Sequence, residues 1–143
     1  MVGIEFTNSA IGGGSGNTIQ MDGAVIAGGS FNSLGFYETL DPPKFSTISG
    51  GSFNTVKGTY NTVGGGNRNS ILQFDYSVIS GGISNSIYTL TASEGNGDVA
   101  ASGGQYAFIG GGEGNIVQGS GHAALVGGGE NKIEATYSSI MGG

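Results

Sequence analysis

The stretch "TISGGSFNTV", Thr47–Val56, contains an apolar residue, a pair of glycines, an asparagine and a second apolar residue at fixed distances. The stretch "TVGGGNRNSI", Thr62–Ile71, follows it closely and repeats this arrangement. One glycine-rich stretch can be a loop that binds phosphate, whereas a stretch that recurs at a regular period indicates a structural repeat. The number of copies therefore decides how the stretch is interpreted.

The unit recurs along the whole chain of 143 residues. Each copy is anchored on the apolar residue two positions before the glycine pair, and the anchors are Ile11, Ile26, Ile48, Val63, Ile79, Ile109, Val126 and Ile140. Asparagine follows at position +6, one place early in the seventh copy: Asn17, Asn32, Asn54, Asn69, Asn85, Asn115 and Asn131. A second apolar residue comes at +8. Apart from two longer gaps, the anchor spacings indicate a unit of about 15 residues.

A unit of about 15 residues is too short for a helical hairpin and fits one turn of a β-solenoid. We expect an all-β parallel β-roll, because the glycine pair can turn the chain and the residues around it alternate as in strands. Stacked turns would place asparagine on asparagine in an amide ladder. The sequence predicts one repeat domain, 1–143, with insertions near 35–45 and 88–106. The second insertion is either a loop of about 14 residues or a degenerate turn.

The residues just before the anchors should face outward, yet they are semi-apolar. They are Ala10, Val25, Thr47, Thr62, Val78, Phe108 and Leu125, with Ser139 in the last copy. Association of several copies about an axis parallel to the rod would bury this stripe along its length. The alternative is an ordinary exposed β-face that carries some valine and threonine.

Composition excludes several classes of function. Four cations face ten carboxylates, so the chain lacks the basic stripe that nucleic acid or an anionic membrane surface requires. No apolar run approaches the roughly 18 residues of a membrane helix. Cysteine is absent, which removes disulfides, thiolate metal sites and cysteine nucleophiles.

The segment "STISGGSFNTVKGTYNTVGGGNRNSI", Ser46–Ile71, resembles the repeat arrays of YadA-like head regions and of related phage and giant-virus fibre proteins. The resemblance implies a left-handed parallel β-roll, a parallel homotrimer and an extracellular role on a bacterial surface or a virion. The YadA heads carry "A-I-G-x-x-A" where this chain has glycine pairs and asparagine, which favours the fibre type. The ending "YSSIMGG" falls halfway through a unit, so we expect a piece of a longer fibre.

Catalytic and metal chemistry find little support in the sequence. No glycine-rich stretch is followed by the Lys-Ser/Thr pair of a phosphate loop, and asparagine replaces the acid of a calcium-binding roll. Glu113 and Glu130 both fall at +4 and are predicted neighbours, which would repel each other unless Lys132 or a cation intervenes. His122 and Arg68 lie in unrelated units, and no nucleophile–base–acid set can be assembled. We therefore predict no enzyme activity, no cofactor and no metal.

The insertions are the candidate ligand-binding segments, because loops on rigid scaffolds often carry binding residues. Their aromatic and acidic residues are Tyr37, Glu38, Asp41 and Phe45 in the first and Tyr88, Glu94, Asp98 and Tyr106 in the second. Such residues suit a host glycan or protein receptor, or they cover the rod. The favoured function is a non-enzymatic spacer and adhesive segment of a trimeric fibre. The alternatives are a carbohydrate-binding module and a tailspike depolymerase whose active residues come from two protomers.

Overall fold

The computed structural model describes residues 7–35, 44–89, 104–119 and 121–143, which form short strands joined by turns. No helix long and apolar enough to cross a membrane occurs among these residues. The strands, in chain order, are β1 (Ala10–Ile11), β2 (Thr18–Ile19), β3 (Val25–Ile26), β4 (Ser33–Gly35), β5 (Thr47–Ile48), β6 (Thr55–Lys57), β7 (Thr62–Val63), β8 (Ser70–Leu72), β9 (Phe74–Asp75), β10 (Val78–Ile79), β11 (Ser86–Tyr88), β12 (Gly104–Gln105), β13 (Ala107–Ile109), β14 (Ile116–Gln118), β15 (Ala123–Leu125), β16 (Lys132–Ile133) and β17 (Ser138–Ile140).

The strands form two main sheets in which every pairing is parallel. The first sheet has the order β1-β3-β5-β7-β10-β13-β15-β17, and the second has the order β2-β4-β6-β8-β11-β14-β16. One turn of the coil, here called a rung, gives one strand to the first sheet and the next strand to the second. This confirms the predicted all-β parallel solenoid. The hand of the coil and the homotrimer remain predictions.

Two columns of apolar side chains form most of the core between the two sheets. The anchor residue of each rung pairs with the anchor of the next, as Ile48 does with Val63 and Ile79 with Ile109. The apolar residues at position +8 form the facing column, in which Val56 pairs with Ile71 and is fully buried. Such very short strands are unstable alone. Their stability therefore comes from stacking this shared core along the whole rod.

The register of the seventh rung differs from the prediction. Leu125, not Val126, pairs with Ile109 on one side and with Ile140 on the other. Leu125 is fully buried, whereas 46% of the Val126 surface is exposed. With Leu125 as anchor, Gly127 and Gly128 take positions +2 and +3 and Asn131 takes its regular place at +6. The prediction that the asparagine of the seventh copy comes one place early is therefore wrong, and the last rungs follow the regular period.

Neither insertion adds a rung to the two main sheets. Strand β10 pairs directly with β13, and β11 pairs directly with β14, so the second insertion does not supply a degenerate turn between them. Likewise β3 pairs directly with β5 and β4 with β6 around the first insertion. Residues 36–43 and 90–103 lie outside the described ranges.

The asparagines at +6 stack in a continuous column that we call the asparagine ladder. The Nδ2 group of Asn69 donates to the carbonyls of Gly65 (2.8 Å) and Gly82 (2.9 Å). Its Oδ1 accepts from the backbone N–H of Asn85 (3.0 Å) and from the Asn85 Nδ2 (3.1 Å). No buried side-chain nitrogen or oxygen in the described ranges lacks a partner. The members are Asn17, Asn32, Asn54, Asn69, Asn85, Asn115 and Asn131.

The two glycines of a pair have different tasks, as Gly65 and Gly66 illustrate. Gly65 has a φ of +138° and open space where a Cβ would stand, so it serves the turn itself. Gly66 also has a positive φ, and a Cβ there would collide with the carbonyl oxygen of Gly82 in the next rung. The second glycine therefore permits the close approach of successive rungs.

The corrected register predicts unequal effects of two neighbouring substitutions. Leu125→Ala should lower the free energy of unfolding by about 2–5 kcal/mol, because it empties part of the sealed core. Val126→Ala, on the outer surface, should cost less than about 1 kcal/mol. Urea denaturation followed by circular dichroism measures both, and equal losses would contradict the register.

The asparagine ladder predicts that an interior member contributes more than an end member. Asn69→Ala should cost more than about 3 kcal/mol, because it leaves the Asn85 N–H and two glycine carbonyls without their partners. Asn131→Ala should cost about 1 kcal/mol, since Asn131 is half-buried at the end of the ladder. The same unfolding measurement compares them, and a smaller loss for Asn69→Ala would overturn this account.

Candidate interaction surfaces

Aromatic rings occupy one corner of the coil, three positions before the anchor of each rung from the third rung onward. We call this column the aromatic ladder, and its members are Phe45, Tyr60, Tyr76, Tyr106, His122 and Tyr137. Successive ring centroids lie 5.4, 5.0, 5.3, 5.1 and 4.8 Å apart. Every pair is stacked within 20° of parallel except Tyr106 and His122, which are tilted by 35°.

The corner forces these residues into the left-handed backbone region, with φ between 44° and 60°. That conformation is unfavourable for a bulky side chain, so the surroundings must compensate. The Tyr76 N–H donates to the Thr59 carbonyl (3.0 Å), and the Tyr106 N–H donates to the Asp75 carbonyl (3.1 Å). Ring stacking adds about 0.5–1.5 kcal/mol per pair. Because φ is positive, each ring points outward from the same corner position of its rung.

The stacked arrangement leaves the edges of the rings accessible and covers their faces. Tyr60, Tyr76 and Tyr106 are each about half exposed, at 47%, 46% and 50%. Each of these rings has a neighbouring ring on both sides. A sugar that packs on an aromatic residue requires a free ring face, so the interior of the ladder is a poor platform for sugars.

In the second rung, the position that carries an aromatic residue in later rungs is occupied by Gly23, next to Phe45. A Cβ on Gly23 would lie 2.6 Å from the Phe45 ring, so the ring covers this glycine. At the opposite corner, five positions after the anchors, the Phe31 ring covers Gly16 in the same way and stacks on Phe53 at 5.1 Å. The Arg68 guanidinium follows 5.9 Å from the Phe53 ring, in cation–π range.

The predicted ligand-binding residues fall into three groups. Phe45 and Tyr106 belong to the aromatic ladder. Tyr88 lies on β11 in the second sheet, where its hydroxyl donates to the Gln118 Oε1 at 3.0 Å. The others lie outside the described residues: Tyr37, Glu38, Asp41, Glu94 and Asp98.

The outward residues just before the anchors form a continuous column on the first sheet. Leu125 was predicted on this surface, and that prediction is wrong because Leu125 is a core residue; Ala124 pairs with Phe108 instead. The column consists of Ala10, Val25, Thr47, Thr62, Val78, Phe108, Ala124 and Ser139. Small residues such as Ala27, Ser49 and Gly64 follow the anchors beside it. We call these two uncharged columns the flat face.

The carboxylates are arranged differently from the prediction. Glu113 lies beside Gly129 in the next rung, and Glu130 occupies the following corner position, so the two do not share a column. Lys132 pairs with Glu134, whose hydrogen bond raises the pKa of the lysine. The described ranges contain no group of three or more His, Cys, Asp or Glu residues that could hold a metal ion.

Two other carboxylates hold backbone turns. The Asp22 Oδ1 accepts from the Thr7 N–H at 2.7 Å, and the Asp75 Oδ1 accepts from the Thr59 N–H at 2.6 Å. Both acids lie four positions before their anchors, next to the aromatic corner. They therefore stabilise the connection between neighbouring rungs.

The aromatic ladder predicts that an inner ring stabilises the coil more than a terminal one. Tyr76→Ala removes a ring that stacks on two neighbours and should cost about 2 kcal/mol. Tyr137→Ala removes a ring that is 80% exposed and has one stacked neighbour, His122, and should cost less than about 1 kcal/mol. Urea unfolding tests the order, and equal costs would show that stacking contributes little.

No known protein-family model matches the chain, and no curated protein gives a significant match.

Proposed function

We propose that the chain is a non-enzymatic segment of a trimeric fibre on a bacterial surface or a virion, where it serves as a stiff spacer and carries adhesive loops. The observation that carries this proposal is the constant register of the rungs. Each complete rung adds one residue to each core column, and from the second rung through the seventh each adds an asparagine whose backbone N–H donates to the side-chain oxygen of the asparagine before it. This construction extends in one direction only, as a spacer requires.

Stiffness is supported by bonding on every side of a rung. In one rung, Gly64 bonds to Ile79 in the first sheet and Ser70 bonds to Asn85 in the second. At the corner between them, Asn67 bonds to Gly82, and at the aromatic corner the Tyr76 N–H reaches back to Thr59. Bending the rod in any direction must stretch some of these hydrogen bonds.

Trimer formation is supported by the shape and chemistry of the flat face. At about 4.8 Å per rung this face is about 35 Å long, and its two columns with their side chains are about 14 Å wide. Three protomers would therefore bury about 1,500 Å² in total, or about 500 Å² for each of the three pairwise contacts, which is small for a specific interface. The support for the trimer is thus the continuous, uncharged surface of this face and not its area. An axis parallel to the rod keeps equal rungs at equal height and closes the assembly.

The position of the insertions supports an adhesive role. In the chain, residues 36–43 follow β4 and residues 90–103 follow β11, which are both strands of the second sheet, and each segment precedes a residue of the aromatic corner, Phe45 or Tyr106. Neither interrupts the first sheet, so a trimer built on the flat face leaves both available to a host glycan or protein receptor. Tyr37, Glu38, Asp41, Glu94 and Asp98 remain candidate contacts within them.

The carbohydrate-binding module and the tailspike depolymerase have weaker support. The faces of Phe45 and Tyr106 are turned toward neighbouring rings, which removes two rings from the predicted sugar site. Both alternatives now depend on the two insertions or on residues from a second protomer. A glycan array and a reducing-end assay with polysaccharides test them.

The trimer predicts a specific response to charge on the flat face. Val78→Lys places a cation in the middle of the proposed interface, where its desolvation would oppose association. We expect sedimentation equilibrium at micromolar concentration to give a trimer for the unaltered chain and a monomer for Val78→Lys.

Ser86→Lys is the matched control, because Ser86 is the outward residue of the second sheet in the same rung. This variant should remain trimeric. A monomeric unaltered chain, or loss of the trimer in Ser86→Lys alone, would contradict the assignment of the interface.

A further inference from the structure

Three tyrosines follow one another in the aromatic ladder. The Tyr60 and Tyr76 ring centroids are 5.0 Å apart with planes at 13°, and the Tyr76 and Tyr106 centroids are 5.3 Å apart with planes at 19°. Rungs in parallel register carry these rings at equivalent corner positions, with φ of 56°, 53° and 60°. Corresponding ring carbons of neighbouring tyrosines therefore lie at about the separation of the centroids.

We propose that Tyr60, Tyr76 and Tyr106 are a site of oxidative cross-linking, at which peroxide and a haem peroxidase join neighbouring rungs through dityrosine. The phenols are about half exposed, so an oxidant can reach their edges. The partner ring lies in the same chain at contact distance, which favours coupling within the ladder over coupling between molecules.

The reaction balances without any group from the protein other than the two phenols. Each phenol loses one electron and one proton to give a phenoxyl radical, and one hydrogen peroxide takes up both electrons and both protons to give two waters. The two radicals form a carbon–carbon bond between ortho positions. The two ortho hydrogens then move through solvent to the phenolic oxygens, which restores both aromatic rings. The chain loses two hydrogen atoms for each link.

Such links would join neighbouring rungs by covalent bonds. The chain contains no cysteine, so its rungs are not joined by disulfides. A Tyr60–Tyr76 link and a Tyr76–Tyr106 link would each connect two consecutive rungs, and the second insertion lies in the chain between Tyr76 and Tyr106. Cross-links of this kind restrict the unfolded chain and so stabilise the folded one.

The ladder contains its own controls. Tyr88 lies on the second sheet with its hydroxyl bonded to Gln118, and Tyr137 is separated from Tyr106 by His122. Neither has a stacked tyrosine neighbour in the part of the chain that the structure describes. Phe45 already occupies a place in the column, so phenylalanine fits this corner and Tyr76→Phe should retain the fold. Circular dichroism checks that it does.

The experiment treats the purified chain with hydrogen peroxide and a haem peroxidase, then measures dityrosine fluorescence and maps the linked peptides by mass spectrometry. Lys57 and Arg68 flank Tyr60, so trypsin releases it in a peptide separate from Tyr76. We expect Tyr60–Tyr76 and Tyr76–Tyr106 links within one chain, which a mixture of ¹⁴N- and ¹⁵N-labelled protein identifies. Thermal unfolding of the oxidised chain should shift to a higher midpoint.

Tyr76→Phe breaks both tyrosine pairs, so the yield of links within the chain should fall about tenfold or more. Tyr60→Phe should retain the Tyr76–Tyr106 link, while Tyr88→Phe and Tyr137→Phe should leave the yield unchanged. Unchanged yield in Tyr76→Phe, links mainly between chains, or links mainly through Tyr88 or Tyr137 would each overturn the proposal. Equal yield of the same links in urea-unfolded protein would also overturn it, because the ladder geometry would then be irrelevant.

Discussion

The asparagine ladder is the interaction on which the rest of the structure depends. An asparagine amide has two donors and an acceptor, and in Asn69 all of them bond to the backbone of its own rung or to a neighbouring rung. A buried amide that slipped by one residue would lose these partners at a cost of about 1–3 kcal/mol for each. The ladder therefore fixes the register, and the register in turn sets the core, the corners and the flat face.

Much of this architecture could be predicted from the sequence because each column repeats one residue type at one position. The anchors, the glycine pairs and the asparagines all do so, and they define the solenoid. The seventh rung is ambiguous at its glycines, because Leu125 and Val126 are adjacent and both apolar and three glycines follow them. The sequence signal that could have placed it is the spacing to Asn131 and Ile133, which lie at +6 and +8 from Leu125. The pairing of β15 with β13 and with β17 makes Leu125 the anchor.

The aromatic ladder could also have been predicted from the sequence, but it was not. Aromatic residues precede the anchors by three positions in rungs three to six, but the wrong anchor in the seventh rung moved His122 out of that position. Aromatic residues are also unexpected where φ is positive, since that region favours glycine and asparagine. Glu113 and Glu130 were predicted neighbours for the same reason, because an error of one residue in the anchor shifts every position counted from it. The predicted acids of the insertions lie beyond the described residues.

Direct pairing of rungs across both insertions has a consequence for how the length of the rod can change in evolution. Because each rung closes at its own level, a whole unit can be gained or lost by recombination between similar repeats without disturbing the columns on either side. Each such event would change the reach of the rod by one step of about 4.8 Å. The distance between the surface that carries a fibre and the surface that it binds would thus be set by the number of repeat units. The insertions could change in sequence independently of that number.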